Sequence, residues 1–274
     1  MTGSQGVIVV TGAGGMGSAV ARRIGTGSTV VLADADGRVL EAEVRSLVDA
    51  GYDAVGRLID VSDQSAVEGL ATEAAARGPV TAVVHTAGIS PVQASVDAIV
   101  RVDVLGTARM LDAFGAVVAR GGAGVFVSSM AGTMATLEPE FEHRLATTPT
   151  GQLLDLAELA PGAIPDPATA YVVAKRANQV RVAAASVVWG RRGARVNSVS
   201  PGIIATPMGT AELEGPSGEV MRSMIAASGT GRIGTPGDIA GVVDFLTGRD
   251  AGYITGTDLL VDGGVVAALR TPPA

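Results

Sequence analysis

A chain of 274 residues with a formal charge of −7, 20 Lys and Arg against 27 Asp and Glu, and no cysteine already excludes several kinds of function. An acidic balance with no basic cluster beyond Arg191 and Arg192 argues against nucleic acid and for a small-molecule substrate. The absence of thiols removes disulfides, thiolate metal sites and thiol catalysis, suits a reducing cytoplasm, and leaves no metal expected.

The apolar fraction of 47% and the lack of a Pro/Gly/Ser-rich linker predict one domain over residues 1–274. The N-terminus runs into the first strand without a basic-then-apolar leader, and no apolar run approaches the roughly twenty residues that a membrane crossing needs. A soluble, cytoplasmic protein is expected.

In chain order, short apolar runs read as strands at Val7–Val10, Thr29–Ala33, Ala54–Asp60, Val80–His85, Gly124–Ser128, Ala194–Ser200 and Leu259–Val261, with helical patterns between them. This alternation predicts an α/β fold of about seven parallel strands with helices on both faces. Such a doubly wound Rossmann sheet binds its ligands at the carboxyl ends of the strands.

The first strand leads into Thr11-Gly12-Ala13-Gly14-Gly15-Met16-Gly17 and a helix over Ser18–Ile24. Gly12, Gly14 and Gly17 fit the spacing that permits a tight turn, close approach to a pyrophosphate and close helix packing. The second strand ends at Asp34, where a carboxylate accepts hydrogen bonds from the adenosine ribose hydroxyls. Loop, strand and acid together point to a dinucleotide. Asp34 would repel a 2′-phosphate, and neither Ala35 nor the loop supplies a base to replace it, so NAD is predicted over NADP.

Residues 133–168 are too long for a strand-to-helix connection and read as an insertion, either a lid or a subunit contact. Within it Leu153, Leu156 and Leu159 form a helical stripe over Gln152–Ala160. A second flap follows Pro207 and contains an amphipathic stretch over Val220–Ala227. Thr235-Pro236-Gly237-Asp238 has the form of a capping box.

Tyr171 and Lys175 lie four positions apart and share a helix face. A nearby ammonium favours phenolate, so Lys175 is expected to bring the Tyr171 pKa down into a working range. An ordinary amphipathic helix could carry the same pair, but here it follows the glycine loop and ribose acid in order.

With these motifs in this order the chain resembles the short-chain dehydrogenase/reductase family over nearly its whole length. The resemblance implies further sites. Asp60-Val61 matches the adenine-contacting pair, and Ala87-Gly88 the end of an Asn-Asn-Ala-Gly motif. Ser129 matches the catalytic serine. Pro201-Gly202-Ile203-Ile204-Ala205-Thr206 matches the segment that holds the nicotinamide carboxamide, and Asp262-Gly263-Gly264 the end of the last strand. Tyr171 then exchanges a proton with the substrate oxygen, Lys175 anchors the nicotinamide ribose, and Ser129 stabilises charge on that oxygen. The cofactor set implied is Gly12, Gly14, Gly15, Met16, Gly17, Asp34, Asp60, Val61, Ala87, Gly88, Tyr171, Lys175, Pro201, Gly202, Ile204 and Thr206.

Three departures matter. The glycine loop is one residue short of the family's Thr-Gly-x-x-x-Gly-x-Gly. His85-Thr86 replace an Asn-Asn pair. Asp103 stands where the family has an asparagine whose backbone holds a water in a proton relay to the lysine, and it is carried as a fourth catalytic residue.

The insertion, the Gly190–Gly202 run and the C-terminal tail look similar to the bacterial 3α-hydroxysteroid dehydrogenase/carbonyl reductase group, which implies a hydrophobic, steroid-like or cyclic alcohol or ketone. A 3-oxoacyl-type reductase and a non-catalytic dinucleotide sensor are the alternatives. The resemblance also implies a homodimer or homotetramer, for which Arg176–Trp189 could supply a face.

Overall fold

The computed structural model describes residues 6–92 and 94–271. Among these, seven parallel strands form one sheet in the order β3-β2-β1-β4-β5-β6-β7. They are β1 (Val7–Thr11), β2 (Thr29–Asp34), β3 (Asp53–Leu58), β4 (Val80–His85), β5 (Val118–Val127), β6 (Arg195–Pro201) and β7 (Asp258–Val261). The predicted doubly wound sheet is present. Every predicted strand is found, although β5 begins six residues earlier than its apolar run, through Gly121 and Gly122.

Side-chain alternation along the strands supplies both cores. Val7 and Val9 face one side of the sheet with Val31, Val83 and Phe126, while Ile8 and Val10 face the other with Val30, Leu32, Val84 and Val125. Helices α1 (Gly15–Ile24), α2 (Gly37–Asp49) and α11 (Pro236–Thr247) cover the second side. Helices α3 (Gln64–Arg77), α5 (Thr107–Val117) and α8 (Pro167–Arg191) cover the first.

Capping explains where most of these helices begin. Asp36 accepts from the Arg38 and Val39 N–H groups, Asp63 from Ser65 and Ala66, and Asp166 from Thr169, followed by Pro167 in the first turn. The capping box of Thr235 and Asp238 forms as expected. No helix among the described residues is long and apolar enough to cross a membrane.

A third apolar cluster lies outside the sheet layers. The helix α4 (Val96–Ile99) runs through a π-helical stretch over 100–106 into α5, and its Ile99, Val104 and Leu105 pack with Ala170, Val173 and Ala177 of α8. The insertion closes over this pair. It supplies Phe141 and Leu145 from α7 (Pro139–Thr147), together with Leu153, Leu159 and Ile164.

The helix read over 152–160 is instead two 3₁₀ turns, Thr150–Asp155 and Ala157–Leu159. A leucine at every third position suits three residues per turn better than 3.6, so the stripe remains but the helix type changes. Two arginines of α8 fasten the insertion. Arg176 makes a bidentate pair with Glu142 at 2.6 and 2.8 Å. Buried Arg181 donates to the carbonyls of Leu145 and Thr148 and to the Thr150 hydroxyl.

Candidate active site

The sheet reverses its order between β1 and β4, and the predicted residues gather at the carboxyl ends of the strands on either side of that point. Gly12 follows β1, Asp34 ends β2, Asp60 and Val61 follow β3, and Ala87 and Gly88 follow β4. Ser129 follows β5, and Pro201 ends β6 and leads into Gly202, Ile204 and Thr206.

The glycine loop is shaped by close packing at its two ends. Gly12 has φ +89°, and a Cβ there would lie 2.5 Å from the Thr86 hydroxyl. At Gly17 a Cβ would lie 1.7 Å from the Gly12 carbonyl. Gly14 differs, since a Cβ there would meet only Val39, at 3.9 Å. It is the N-cap of α1 and offers no side-chain cap, and the first turn carries no acid. The Gly17 N–H bonds to the Gly14 carbonyl at 2.9 Å, but those of Gly15 and Met16 have no side-chain cap, which fits a pyrophosphate over Gly12, Gly14, Gly15, Met16 and Gly17 despite the shortened loop.

Asp34 is built into this loop. Its Oδ2 accepts from the Ala13 N–H at 2.7 Å and its Oδ1 from the Asp36 N–H at 2.8 Å, so the carboxylate is fixed at the end of β2 beside the glycine loop. Two of the three nearby arginines are engaged elsewhere, and the third, Arg38, is exposed and meets only Asp36, at 3.9 Å. Arg22 pairs with Glu43 and Arg23 with Asp244, both at 2.8 Å.

Asp60 accepts from the Ser62 N–H and is exposed, whereas Val61 is buried against Gly106. Thr206 caps α9 (Pro207–Glu214), and its methyl would lie 3.0 Å from a Cβ at Gly15. The second flap thus begins directly over the glycine loop and continues into α10 (Gly218–Ala227).

The four proposed catalytic residues come together. The Ser129 hydroxyl caps α6 (Met130–Met134) and lies near the Tyr171 phenol, whose ionised form it favours slightly. Lys175 Nζ sits 5.1 Å from the Tyr171 ring centroid and 3.1 Å from Asp103 Oδ2. The angle to Oδ2 falls short of a hydrogen bond, leaving that oxygen an ion-pair contact, while Oδ1 accepts from the Ile89 N–H at 3.0 Å. Asp103 is fully buried and Lys175 nearly so. The π-helical stretch widens the helix where Asp103 meets the lysine.

The Asp103 backbone carbonyl has one partner in the chain. With its amide oriented to suit its neighbours, Asn178 donates to that carbonyl at 2.8 Å, which leaves its second lone pair for another donor.

Electrostatics correct one expectation. Burial raises the Tyr171 pKa above its ordinary 10.0; Lys175 opposes the rise, but the charges of Asp103 and Glu212 add to it. Asp103, carried from the sequence as a fourth member of the site, lies beside the lysine and offsets its charge, and burial does the rest. For Lys175, burial alone would lower the pKa, yet attraction to Asp103 carries it upward, so the ammonium persists. For Asp103, burial outweighs the lysine and raises the pKa.

His85 stands apart from the proton path. Its Nδ1 meets the Thr11 hydroxyl at 2.6 Å and its Nε2 the Thr107 hydroxyl at 3.2 Å. Burial, with some help from Lys175, pushes its pKa down to about 3, so it is a neutral strut between β1, β4 and α5.

Two groups at the site escaped the sequence reading. Ser90 is fully buried just beyond Gly88, and Glu212 lies on α9 facing it. Neither belongs to a motif, and only the folding of the flap over the site brings them together.

Comparison with known proteins agrees with this geometry. The profile of a family described as enoyl-(acyl carrier protein) reductase matches residues 10–144 and 140–266. A short-chain dehydrogenase/reductase of Alternaria brassicicola is 38% identical over 97% of each chain. A galactitol 2-dehydrogenase (L-tagatose-forming) of Cereibacter sphaeroides is 32% identical over 93% of this chain and 92% of its own. The crystal structure of a levodione reductase superposes with a TM-score of 0.78 over 96% of this chain and 98% of its own, at 24% identity, and shares the fold. On its sequence matches, the chain belongs to the short-chain dehydrogenase/reductase family of oxidoreductases, which act on CH–OH groups.

Proposed function

We propose that this protein moves hydride between NAD and a secondary alcohol or ketone whose body is largely apolar, with Tyr171 as proton carrier. The observation that carries this reading is the cluster of Tyr171, Ser129, Lys175 and Asp103 at the same strand ends as an uncapped glycine-rich helix start and a fixed Asp34.

A bound nicotinamide dinucleotide supplies the hydride acceptor or donor. Gly12–Gly17 would hold its pyrophosphate, Asp34 the adenosine ribose, Asp60 and Val61 the adenine, and Ala87, Gly88 and the Pro201–Thr206 segment the nicotinamide half. Tyr171 gives a proton to a ketone oxygen during reduction and takes one from an alcohol during oxidation. Ser129 donates a hydrogen bond to the same oxygen as charge develops on it. Lys175 anchors the nicotinamide ribose and holds positive charge beside the phenol, and Asp103 fixes and partly neutralises that charge.

A preference for NAD is supported by Asp34, whose charge would repel a 2′-phosphate, while Arg22 and Arg23 are paired elsewhere and exposed Arg38 meets Asp36 at 3.9 Å. The apolar substrate body is supported by half-exposed Met134, Met208, Leu213, Met221, Met224 and Ile225 on the segments that follow Ser129 and Thr206. A cyclic or steroid-like ketone fits such a surface. The insertion between Ser129 and Tyr171 and the acid at the end of β2 weigh against a 3-oxoacyl-type reductase. The assembly proposed is a homodimer or homotetramer.

Purified protein assayed with NAD(H) and NADP(H) against secondary alcohols, cyclic ketones and steroids tests the reading. NAD-linked turnover should exceed NADP-linked turnover in kcat/KM by about tenfold or more. Preference for NADP would overturn the role of Asp34. Absence of hydride transfer with either cofactor across the panel would favour a dinucleotide-binding sensor.

A further inference from the structure

Helix α8 carries a third polar side chain on the face of its tyrosine and lysine. Gln179 stands one turn beyond Lys175 and two beyond Tyr171, and only 5% of it is exposed. Its amide Nε2 donates to Thr133 Oγ1 at 3.0 Å, to Ser200 Oγ at 2.8 Å and to Asp258 Oδ2 at 3.2 Å. Its Oε1 accepts from Arg176 Nη1 at 3.1 Å. Arginine can only donate and a carboxylate only accept, which fixes the orientation of this amide.

Asp258, the first residue of β7, ties the amide to the sheet. Its Oδ1 accepts from Ser198 at 2.6 Å and from Ser200 at 2.8 Å, two fully buried serines that share a face of β6. Hydrogen bonds to a charged acceptor are the stronger kind, so Gln179 is held from the strand side.

The other end of this network lies on the element that carries the serine. Thr133 is one turn beyond Ser129 on α6, a helix of five residues, too short to hold its own direction. The helices α6 and α8 also meet one turn nearer to Tyr171. There Ser128 Oγ donates to the Lys175 carbonyl at 2.7 Å, and a Cβ at Gly132 would lie 2.7 Å from the carbon of that carbonyl. Contact at one level sets the distance between two helices but leaves them free to pivot. The bond from Gln179 to Thr133 supplies a second level and fixes the angle.

We infer that Gln179, held by Asp258, is a positioning residue for Ser129: acting through Thr133, it sets where the serine hydroxyl stands relative to Tyr171 and the substrate oxygen. This rests on the roles given above to Ser129 and Tyr171. It adds a residue about 12 Å along the helix from the tyrosine, which needs no contact with the reacting atoms. Misplacing a group by about 1 Å can cost about 10²-fold in rate, so a small pivot of α6 is enough to matter.

Single-turnover rates of NADH formation from NAD are measured with cyclohexanol, 2-butanol and a hydroxysteroid as the alcohols. Gln179→Met keeps the bulk and loses the amide, and it should slow this rate about tenfold. In Ser129→Ala, which has no hydroxyl left to place, the same substitution should leave the remaining rate unchanged. Thr133→Val should behave as Gln179→Met does in both backgrounds, whereas Thr133→Ser, which keeps the hydroxyl, should retain the wild-type rate. Circular dichroism checks the fold of each variant, and the Thr133 pair carries the test alone if Gln179→Met does not fold.

No slowing in the wild-type background, or equal slowing in both, would overturn the inference and leave the secondary-alcohol reading standing. Ser129→Ala as fast as wild type would overturn the role of Ser129 and the inference with it. Lack of hydride transfer by wild type from every alcohol would overturn both readings.

Discussion

Asp103 changes what the tyrosine and lysine pair can do. A lone ammonium beside a phenol favours phenolate, but here a buried carboxylate 3.1 Å from the ammonium offsets it, and burial keeps the phenol protonated. A protonated Tyr171 suits ketone reduction at neutral pH, and oxidation should gain as pH rises and the phenol ionises. Asp103→Asn removes the added negative charge. Nearby charges move a pKa by one to three pH units, so the rising limb of the oxidation profile should shift about one pH unit lower in the variant. Oxidation kcat/KM followed against pH in both proteins checks this; an unmoved limb would contradict the electrostatic role of Asp103.

His85 carries a prediction about stability. Its folded pKa of about 3 lies below the 6.5 of the free side chain. Between these values the unfolded chain takes up a proton that folded His85 refuses, so this group's contribution to stability falls as pH drops, by about 1.4 kcal/mol per pH unit. Above pH 6.5 the effect vanishes. Urea denaturation of wild type and His85→Asn at pH 6.0 and 4.5 should show the shallower pH dependence in the variant, and equal slopes would contradict the strut role. Little of this could be read from the sequence, because both pKa shifts depend on burial and on partners such as Asp103, 72 positions from Lys175 in the chain.

Among the elements, the seven strands and the doubly wound sheet were legible because parallel strands buried on both faces leave short β-branched apolar runs between helical patterns. The glycine loop and Asp34 were legible for the same reason, since backbone demands select those residue types. The place of the insertion was legible too, from its length, but its internal structure was not. Its leucines at every third position suit a 3₁₀ turn as well as a helix, and the helix over Pro139–Thr147 gains its stability from packing Phe141 and Leu145 beneath α8, which local sequence does not display.

Arg181 holds this element through three hydrogen bonds from a buried position. Arg181→Ala leaves the Leu145 and Thr148 carbonyls without this donor and should cost about 1–3 kcal/mol. Limited proteolysis should then cut first within residues 139–165. Cleavage elsewhere, with the insertion still protected, would show that Arg181 does not fasten it.

At the scale of the whole molecule, the insertion occupies much of the α8 face on which family resemblance would place a partner. Arg176, Ala177, Arg181 and Val182 are taken up by contacts within the chain, and Trp189 is buried under the sheet. What α8 still presents near its end is Ala183, Ala184, Val187 and Val188, the two valines 60% and 54% exposed. If the protein forms the proposed homo-oligomer through this helix, Val187→Asp with Val188→Asp should lower its mass in light scattering toward that of a monomer. An unchanged mass would place the contact elsewhere.

The same architecture sets both halves of the chemistry at one edge of the sheet. The dinucleotide loop, Ser129 and the Pro201–Thr206 segment all leave strand ends, while Tyr171 and Lys175 arrive on a helix aligned by Asp103 and the π-helical turn. Deuterium transfer tests this directly. Purified protein given NAD and a secondary alcohol labelled on its carbinol carbon should yield deuterated NADH. Tyr171→Phe should do so about 10²–10⁴-fold more slowly. Transfer by Tyr171→Phe at the wild-type rate would contradict the assignment of Tyr171 as the proton carrier.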